Sequence, residues 1–144
     1  MYKRLFLISL CLCIKAAVNC LGANAIKVLG YQEGLSSSYV QAIADDPERP
    51  IMWIGTQRDG LCAFDYEKCQ FTNYYHDDSN PNSLITNDIT SLYPASDGQM
   101  WISTYWHGID KHDQQNGTFV HYNRHTIKGL PSDQTWCVIL HIQR

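Results

Sequence analysis

The sequence contains little of what marks a membrane segment, a nucleic-acid-binding surface or an enzyme centre. No uninterrupted apolar run approaches the roughly 18 residues that a membrane helix requires, so we expect no membrane span in this segment. The 11 Lys and Arg residues are scattered among 14 Asp and Glu, and without a basic cluster we expect no nucleic-acid partner. The motifs G-x-S-x-G, H-E-x-x-H, G-x-G-x-x-G and the P-loop are absent, so we assign no catalytic residue and no cofactor.

The first 25 residues show the three regions of a secretory signal peptide. A basic start at residues 3–4 precedes an apolar run at 5–14, and Ala23 and Ala25 place small residues before a cleavage point. A buried core segment is one alternative for this stretch, and Cys20 leaves a lipoprotein as another. We interpret residues 1–25 as a signal peptide that directs the chain across a membrane.

Cleavage at that point leaves three of the six cysteines, at Cys62, Cys69 and Cys137. An odd number does not define a disulfide framework. Cys62 and Cys69 flank a predicted hairpin turn and would lie diagonally, which is poor geometry for a bridge. We therefore interpret the three as small hydrophobic residues in strands.

A period of about 48 residues organises the rest of the sequence. Trp53-Ile54-Gly55-Thr56 recurs as Trp101-Ile102-Ser103-Thr104, and the same offset joins Phe71 to Phe119. A third copy begins at Gly129. Self-similarity at a fixed period of this length is typical of solenoids and propellers.

Each unit contains four short segments with the composition of β-strands, separated by turn-forming residues. The segments are 40–44, 52–56, 61–65 and 71–74 in the first unit, and 89–93, 100–104, 109–112 and 119–122 in the second. Four short strands in about 48 residues are the pattern of a propeller blade. The sequence thus predicts an all-β fold of β-propeller blades, about two four-stranded antiparallel blades plus the start of a third.

The two units also carry a family resemblance. Gly34-Leu35-Ser36-Ser37-Ser38-Tyr39-Val40, Trp53 to Leu61, and Phe71-Thr72-Asn73-Tyr74 resemble the two-component regulator propeller repeat, and the second unit follows the same pattern. Such repeats typify the periplasmic sensor region of hybrid two-component histidine kinase/response regulators of Bacteroides-type bacteria. The resemblance implies a periplasmic, ligand-sensing segment of a signal-transduction protein, with a glycan or oligosaccharide as its ligand. It also implies partners in the remaining blades and in a kinase region, where any kinase activity would lie.

The repeat divides the chain into blades and connections. We expect a lead-in strand at 26–33, blades at 34–75 and 83–123, a linker at 76–82, and at 124–144 a linker with the truncated start of a third blade. Propellers close with about four to eight blades, so two blades form an incomplete ring. We therefore expect an N-terminal fragment of a longer sensor, as a truncated frame, a fragmentary gene or an excerpt.

Candidate ligand contacts lie on the rim where the loops after the second strand and after the fourth strand of each blade emerge. An exposed aromatic pair followed by His and Gly would suit stacking on a sugar face, although ordinary solvated loops remain the alternative. The candidate ligand-binding residues are Arg58, Asp59, Tyr105, Trp106, His107, Arg124 and His125, and we place Asn80 and Asn82 on the same rim. Positions repeated in both units are expected to serve the scaffold: Trp53, Gly55, Gly60, Phe71, Asp97, Gly98, Trp101, Gly108 and Phe119.

Two other functions remain open at this stage. The same rim could bind another protein chain, and a polysaccharide-active propeller enzyme would need convergent carboxylates, whereas the acids here fall mostly in turns. His76-Asp77-Asp78 lacks the spacing of a calcium loop, so we assign no metal site, and we expect His121 on the surface.

Overall fold

The computed structural model describes residues 27–95 and 97–138, which form two four-stranded antiparallel sheets with the strands in chain order. The first sheet contains β1 (Val40–Asp45), β2 (Ile51–Thr56), β3 (Leu61–Asp65) and β4 (Gln70–Tyr74); the second contains β5 (Ile89–Pro94), β6 (Gln99–Thr104), β7 (Gly108–Asp113) and β8 (Thr118–Tyr122). Every strand end lies within one residue of its predicted position. The all-β class and the two four-stranded blades are confirmed, and the described part of the chain does not close into a ring.

The segment before β1 differs from the predicted lead-in strand at 26–33. Its described residues contain a 3-10 turn at Tyr31–Glu33, which ends where Gly34 adopts a φ of 105° and donates its amide to the Tyr31 carbonyl. The prediction of a strand is therefore wrong for these residues, because Gly34 turns the chain before it reaches β1. The predicted signal peptide and residues 139–144 lie outside the described residues.

The turn between β2 and β3 in the first blade has the same backbone as the turn between β6 and β7 in the second. The buried Thr56 hydroxyl donates to the Gly60 carbonyl at 2.7 Å, and Thr104 donates to Gly108 at 2.8 Å. Both glycines have positive φ, and a Cβ on Gly60 would collide with the carbonyl oxygen of Tyr74. Glycine is required here because β4 passes too close for any side chain.

The core lies between the two sheets and fixes their separation. Trp53 is 2% exposed, and its ring lies 6.0 Å from Tyr74 and 5.5 Å from His112 of the second sheet. Gly55 lets the sheets approach, since a Cβ there would lie 2.5 Å from Cγ2 of Ile89. Burying such large apolar side chains contributes about 1.5–3 kcal/mol each, so this interface is a main source of stability. The remaining fully buried apolar residues of this cluster are Leu61, Leu84, Ile89, Met100 and Ile102, with Phe119 4% exposed.

Trp101 repeats the packing of Trp53 within its own blade. Its ring lies 5.4 Å from Tyr122 at a 38° tilt, matching the 35° tilt between Trp53 and Tyr74. It is half-buried, however, and the Lys111 ammonium lies 5.7 Å from its ring centroid. Trp53 thus lies between the two sheets, and Trp101 occupies the same position on the outer face of the second sheet.

His121 is not the surface residue that was expected from the sequence. Its Nδ1 lies 2.7 Å from Oδ1 of the fully buried Asp110, and its Nε2 lies 3.1 Å from the Pro81 carbonyl oxygen. The second Asp110 oxygen accepts the Ile85 amide at 2.8 Å. Burial raises the pKa of Asp110, and the Ile85 amide and His121 oppose that rise. This pair holds the connection between the blades against the second sheet.

Two of the three cysteines differ from the prediction that all three are small hydrophobic residues in strands. Cys62 is buried in β3, as predicted, with its Sγ 3.0 Å from the Ser36 hydroxyl. Cys137 is an exposed free thiol outside any strand, and Cys69 is disulfide-bonded at a positive φ of 54°.

No helix among the described residues is long and apolar enough to cross a bilayer.

Candidate ligand-binding site

The loops after β2 and β6 enclose a cavity of about 290 Å³ at one rim of the blades, next to the inner strands β1 and β5. Arg58 and Tyr105, both predicted from the sequence, line it together. Gln57, Asp88 and Trp136 complete the loop side. The inner strands contribute Gln41 and Thr90.

Aromatic rings line one side of this cavity. Tyr105 lies 5.4 Å from Trp136 in an edge-on arrangement and 5.6 Å from Trp106, which does not line the cavity. Trp136 and Trp106 are 62% and 56% exposed, which is unusual for the largest apolar side chain. The opposite charges of Arg58 and Asp88, together with two glutamine amides, supply donors and acceptors beside the rings. Such a site can stack a planar or sugar ring and read its hydroxyls.

The remaining predicted contacts surround the cavity without lining it. Asp59 lines an adjoining concavity of about 400 Å³ with Tyr39, Gln57 and Arg58. His107 turns back, with its Nδ1 2.8 Å from the Tyr105 carbonyl oxygen.

Arg124 and His125 begin the connection after β8 and are exposed. Their backbone amides donate to side-chain oxygens of Asp133 and Asn123, and neither residue lines either of these two cavities. Their ligand-binding role stays a prediction.

Asn80 and Asn82 lie elsewhere. The Asn82 carbonyl accepts the amide of Phe119 at 2.9 Å, which places it along the outer edge of β8 rather than on the rim. The linker crosses the outer strand of the second sheet before returning to the rim at Asn87, whose carbonyl accepts the Gly60 amide. The prediction for these two asparagines is wrong because it treated the whole linker as a rim loop.

Three cavity residues that sequence reasoning missed share one repeat position. Gln41 and Thr90 are the second residues of β1 and β5. The Gly108 amide donates to the Asp133 carbonyl, as Gly60 donates to Asn87, so Asp133 is the counterpart of Asn87. Counted from that pair, Trp136 corresponds to Thr90. Aligning the three copies of the repeat at the position of Gln41, Thr90 and Trp136 could have identified these residues from the sequence.

The first half of the second blade matches a sequence family. Residues 83–106 match the model of the family described as the two component regulator propeller. This segment is a two component regulator propeller repeat. It runs from the buried Ser83 through β5 and β6 to Trp106, so it contains the Tyr105 side of the rim cavity. The family resemblance of the sequence is confirmed.

Solved structures with the same repeat fold include extracellular domains of proteins from B. thetaiotaomicron. One, assigned to the hybrid two component system BT3049, is 31% identical over 76% of this chain, with a TM-score of 0.62. Another, assigned to the one component system BT4673, is 26% identical over 73%, with a TM-score of 0.59. The chain spans only 22% and 15% of these two structures. No curated protein matches the sequence.

Proposed function

We propose that the chain supplies two blades of an extracellular, ligand-sensing propeller in a two-component regulator, and that the rim cavity binds part of an oligosaccharide. Similarity to the extracellular domain of a hybrid two component system supports the sensor role. The observation that carries the ligand class is the exposed aromatic wall of Tyr105 and Trp136 beside Arg58 and Asp88. The periplasm is the corresponding proposed location.

The size and composition of the cavity favour binding of one or two sugar units. About 290 Å³ is just below the roughly 300–1,000 Å³ of small-molecule sites. Asp88 is the one carboxylate lining it among the described residues, whereas glycoside hydrolysis commonly uses a pair. This arrangement supports recognition rather than hydrolysis. Ligand binding between two blades would bias their relative geometry, which is how a sensor could pass a signal to the rest of its protein.

The test is titration of the full chain with a panel of di- to tetrasaccharides, followed by tryptophan fluorescence and calorimetry. We expect one saccharide class to bind, and Trp136→Ala and Arg58→Ala each to weaken its affinity at least about tenfold, since each removes a central contact. Lys128→Ala, which removes an exposed cation away from the cavity, is the matched control and should bind normally. If no saccharide binds, or if Trp136→Ala binds unchanged, the proposal fails.

A further inference from the structure

A third cavity lies between the two sheets at the end opposite the rim. It measures about 150 Å³ and opens beside the β1–β2 turn, which carries Arg49, and the β3–β4 turn, which carries Lys68. Trp53, Tyr74 and His112 form its inner wall, with Gln114 at the end of β7. None of these residues lines the rim cavity, so the two cavities are independent.

Two residues that line this space carry buried polar atoms without partners. Both ring nitrogens of His112, which is 1% exposed, are buried and have no hydrogen-bonding partner among the described residues. The same is true of both side-chain amide atoms of Gln114. Leaving a buried polar group unsatisfied costs about 1–3 kcal/mol, and most such groups in proteins have a partner. Four such atoms along one cavity therefore point to a polar ligand.

Arg49 supplies the donors that favour an anion in this cavity. Lys68 and Asp65, which also line it, form an ion pair with each other. That carboxylate is already engaged, since it accepts the Lys68 ammonium at 2.7 Å and the backbone amides of Glu67 and Lys68 at 2.9 and 2.8 Å. Arg49 uses one nitrogen on Asp46 at 2.9 Å, and the rest of its guanidinium can face a carboxylate bidentately.

The donors and acceptors limit the ligand further. Burial lowers the pKa of His112 to about 4, an effect that Arg49 reinforces, so the ring is neutral at neutral pH. A neutral imidazole offers one donor and one acceptor, and the Gln114 amide offers both. A hydroxyl group can satisfy such a pair because it donates and accepts at once. The apolar walls, Ile51 and Ala63, suit a short carbon chain.

We propose that this cavity binds a short hydroxycarboxylate, with its carboxylate at Arg49 and its hydroxyl between His112 and Gln114. A cavity of this volume holds a molecule of about six non-hydrogen atoms, since one of roughly 150 Å³ accommodates benzene. Lactate has this size and both groups. The site does not depend on oligosaccharide binding at the rim.

Three probes of similar size separate the contributions in the unmodified full chain. Lactate carries both groups, propionate lacks the hydroxyl and lactamide lacks the charge. We expect lactate to shift the His112 ring resonances in NMR titrations and to raise the Tm, and the other two to bind at least about tenfold more weakly. Equal binding of all three, or no His112 shift with lactate, would mean that the cavity holds only water.

Two variants locate the site. Gln114→Leu keeps the volume but removes the amide, and Arg49→Gln removes the charge; each should weaken lactate binding at least about tenfold. Lys128→Gln removes an exposed charge outside the cavity and should bind as the unmodified chain does. Unchanged lactate binding by a folded Gln114→Leu protein overturns the proposal. If that variant fails to fold, the probe series in the unmodified chain decides.

Discussion

Replacing Gly55 by Ala probes the contact on which the spacing of the two sheets depends. The Cβ of an alanine would lie 2.5 Å from Cγ2 and 3.0 Å from Cβ of Ile89. Both Ile89 atoms belong to a β-branched side chain that is 0% exposed, so the methyl group cannot swing away. The clash must be relieved by moving β5 or β2.

The magnitude follows from two opposing effects. Overpacking of a well-filled core costs about 1–3 kcal/mol. Gly55 does not have a positive φ, so alanine adopts its backbone without strain and stabilises the fold by about 0.4–1 kcal/mol through the unfolded chain. The midpoints of these two ranges give an expected net loss of about 1.3 kcal/mol in the free energy of unfolding. Urea unfolding followed by the fluorescence of the buried Trp53 measures it.

The matched control is the same position of the second blade. Ser103 already carries a Cβ there, and its buried hydroxyl has no hydrogen-bonding partner among the described residues. Ser103→Ala should therefore leave the stability unchanged or raise it. In a double variant, Gly55→Ala with Ile89→Ala should cost less than the two single changes added together. A neutral or stabilising Gly55→Ala would refute the close-approach argument.

Two further changes test the polar contacts that hold the turn and the linker. Burial opposes the charge of Asp46, but hydrogen bonds from Arg49, the Glu48 amide and the Trp53 indole hold its pKa at about 2, below the usual 3.8. Because the folded-state pKa is lowered, its stabilisation, about 2 kcal/mol, is present above pH 3.8 and lost as the pH falls to about 2. Asp46→Asn should remove that pH dependence in unfolding measurements, and parallel curves for the two proteins would contradict this origin. His121→Phe should destabilise by about 3 kcal/mol, since it leaves the buried Asp110 with the Ile85 amide alone, and should expose the 76–82 linker to limited proteolysis. His125→Phe, at an exposed position, is its control, and equal protease resistance of the two would argue against the anchor.

The blades were predictable because their repeat can be recognised by comparing the sequence with itself. Each strand and turn recurs about 48 residues later, so pairs such as Trp53 and Trp101 indicate equivalent positions without a structure. Turn glycines such as Gly60 follow from the same comparison. The alternating strands then limit the sheet to one register.

The path of the connections was less predictable because it depends on contacts distant in sequence. The Asn82 carbonyl meets Phe119, and His121 meets Asp110 and Pro81, and none of these pairs leaves a pattern in a single sequence. From the sequence alone, a histidine next to a valine in an outer strand, such as His121, is expected to face solvent. Only a buried carboxylate on the neighbouring strand makes it structural.

The two turns between β2 and β3 and between β6 and β7 show which rim features belong to the fold and which are free to specify a ligand. Arg58 and Trp106 occupy equivalent positions with positive φ, at 72° and 68°. A non-glycine residue in that region costs about 1–2 kcal/mol, which by itself could suggest a strained functional residue. Because both blades adopt it, the threonine-to-glycine closure of the turn accounts for the conformation. The side chains, however, differ completely in charge and size between the blades. The backbone is therefore fixed by packing while the side chains vary, and it is this combination that makes the rim suitable for recognising a ligand.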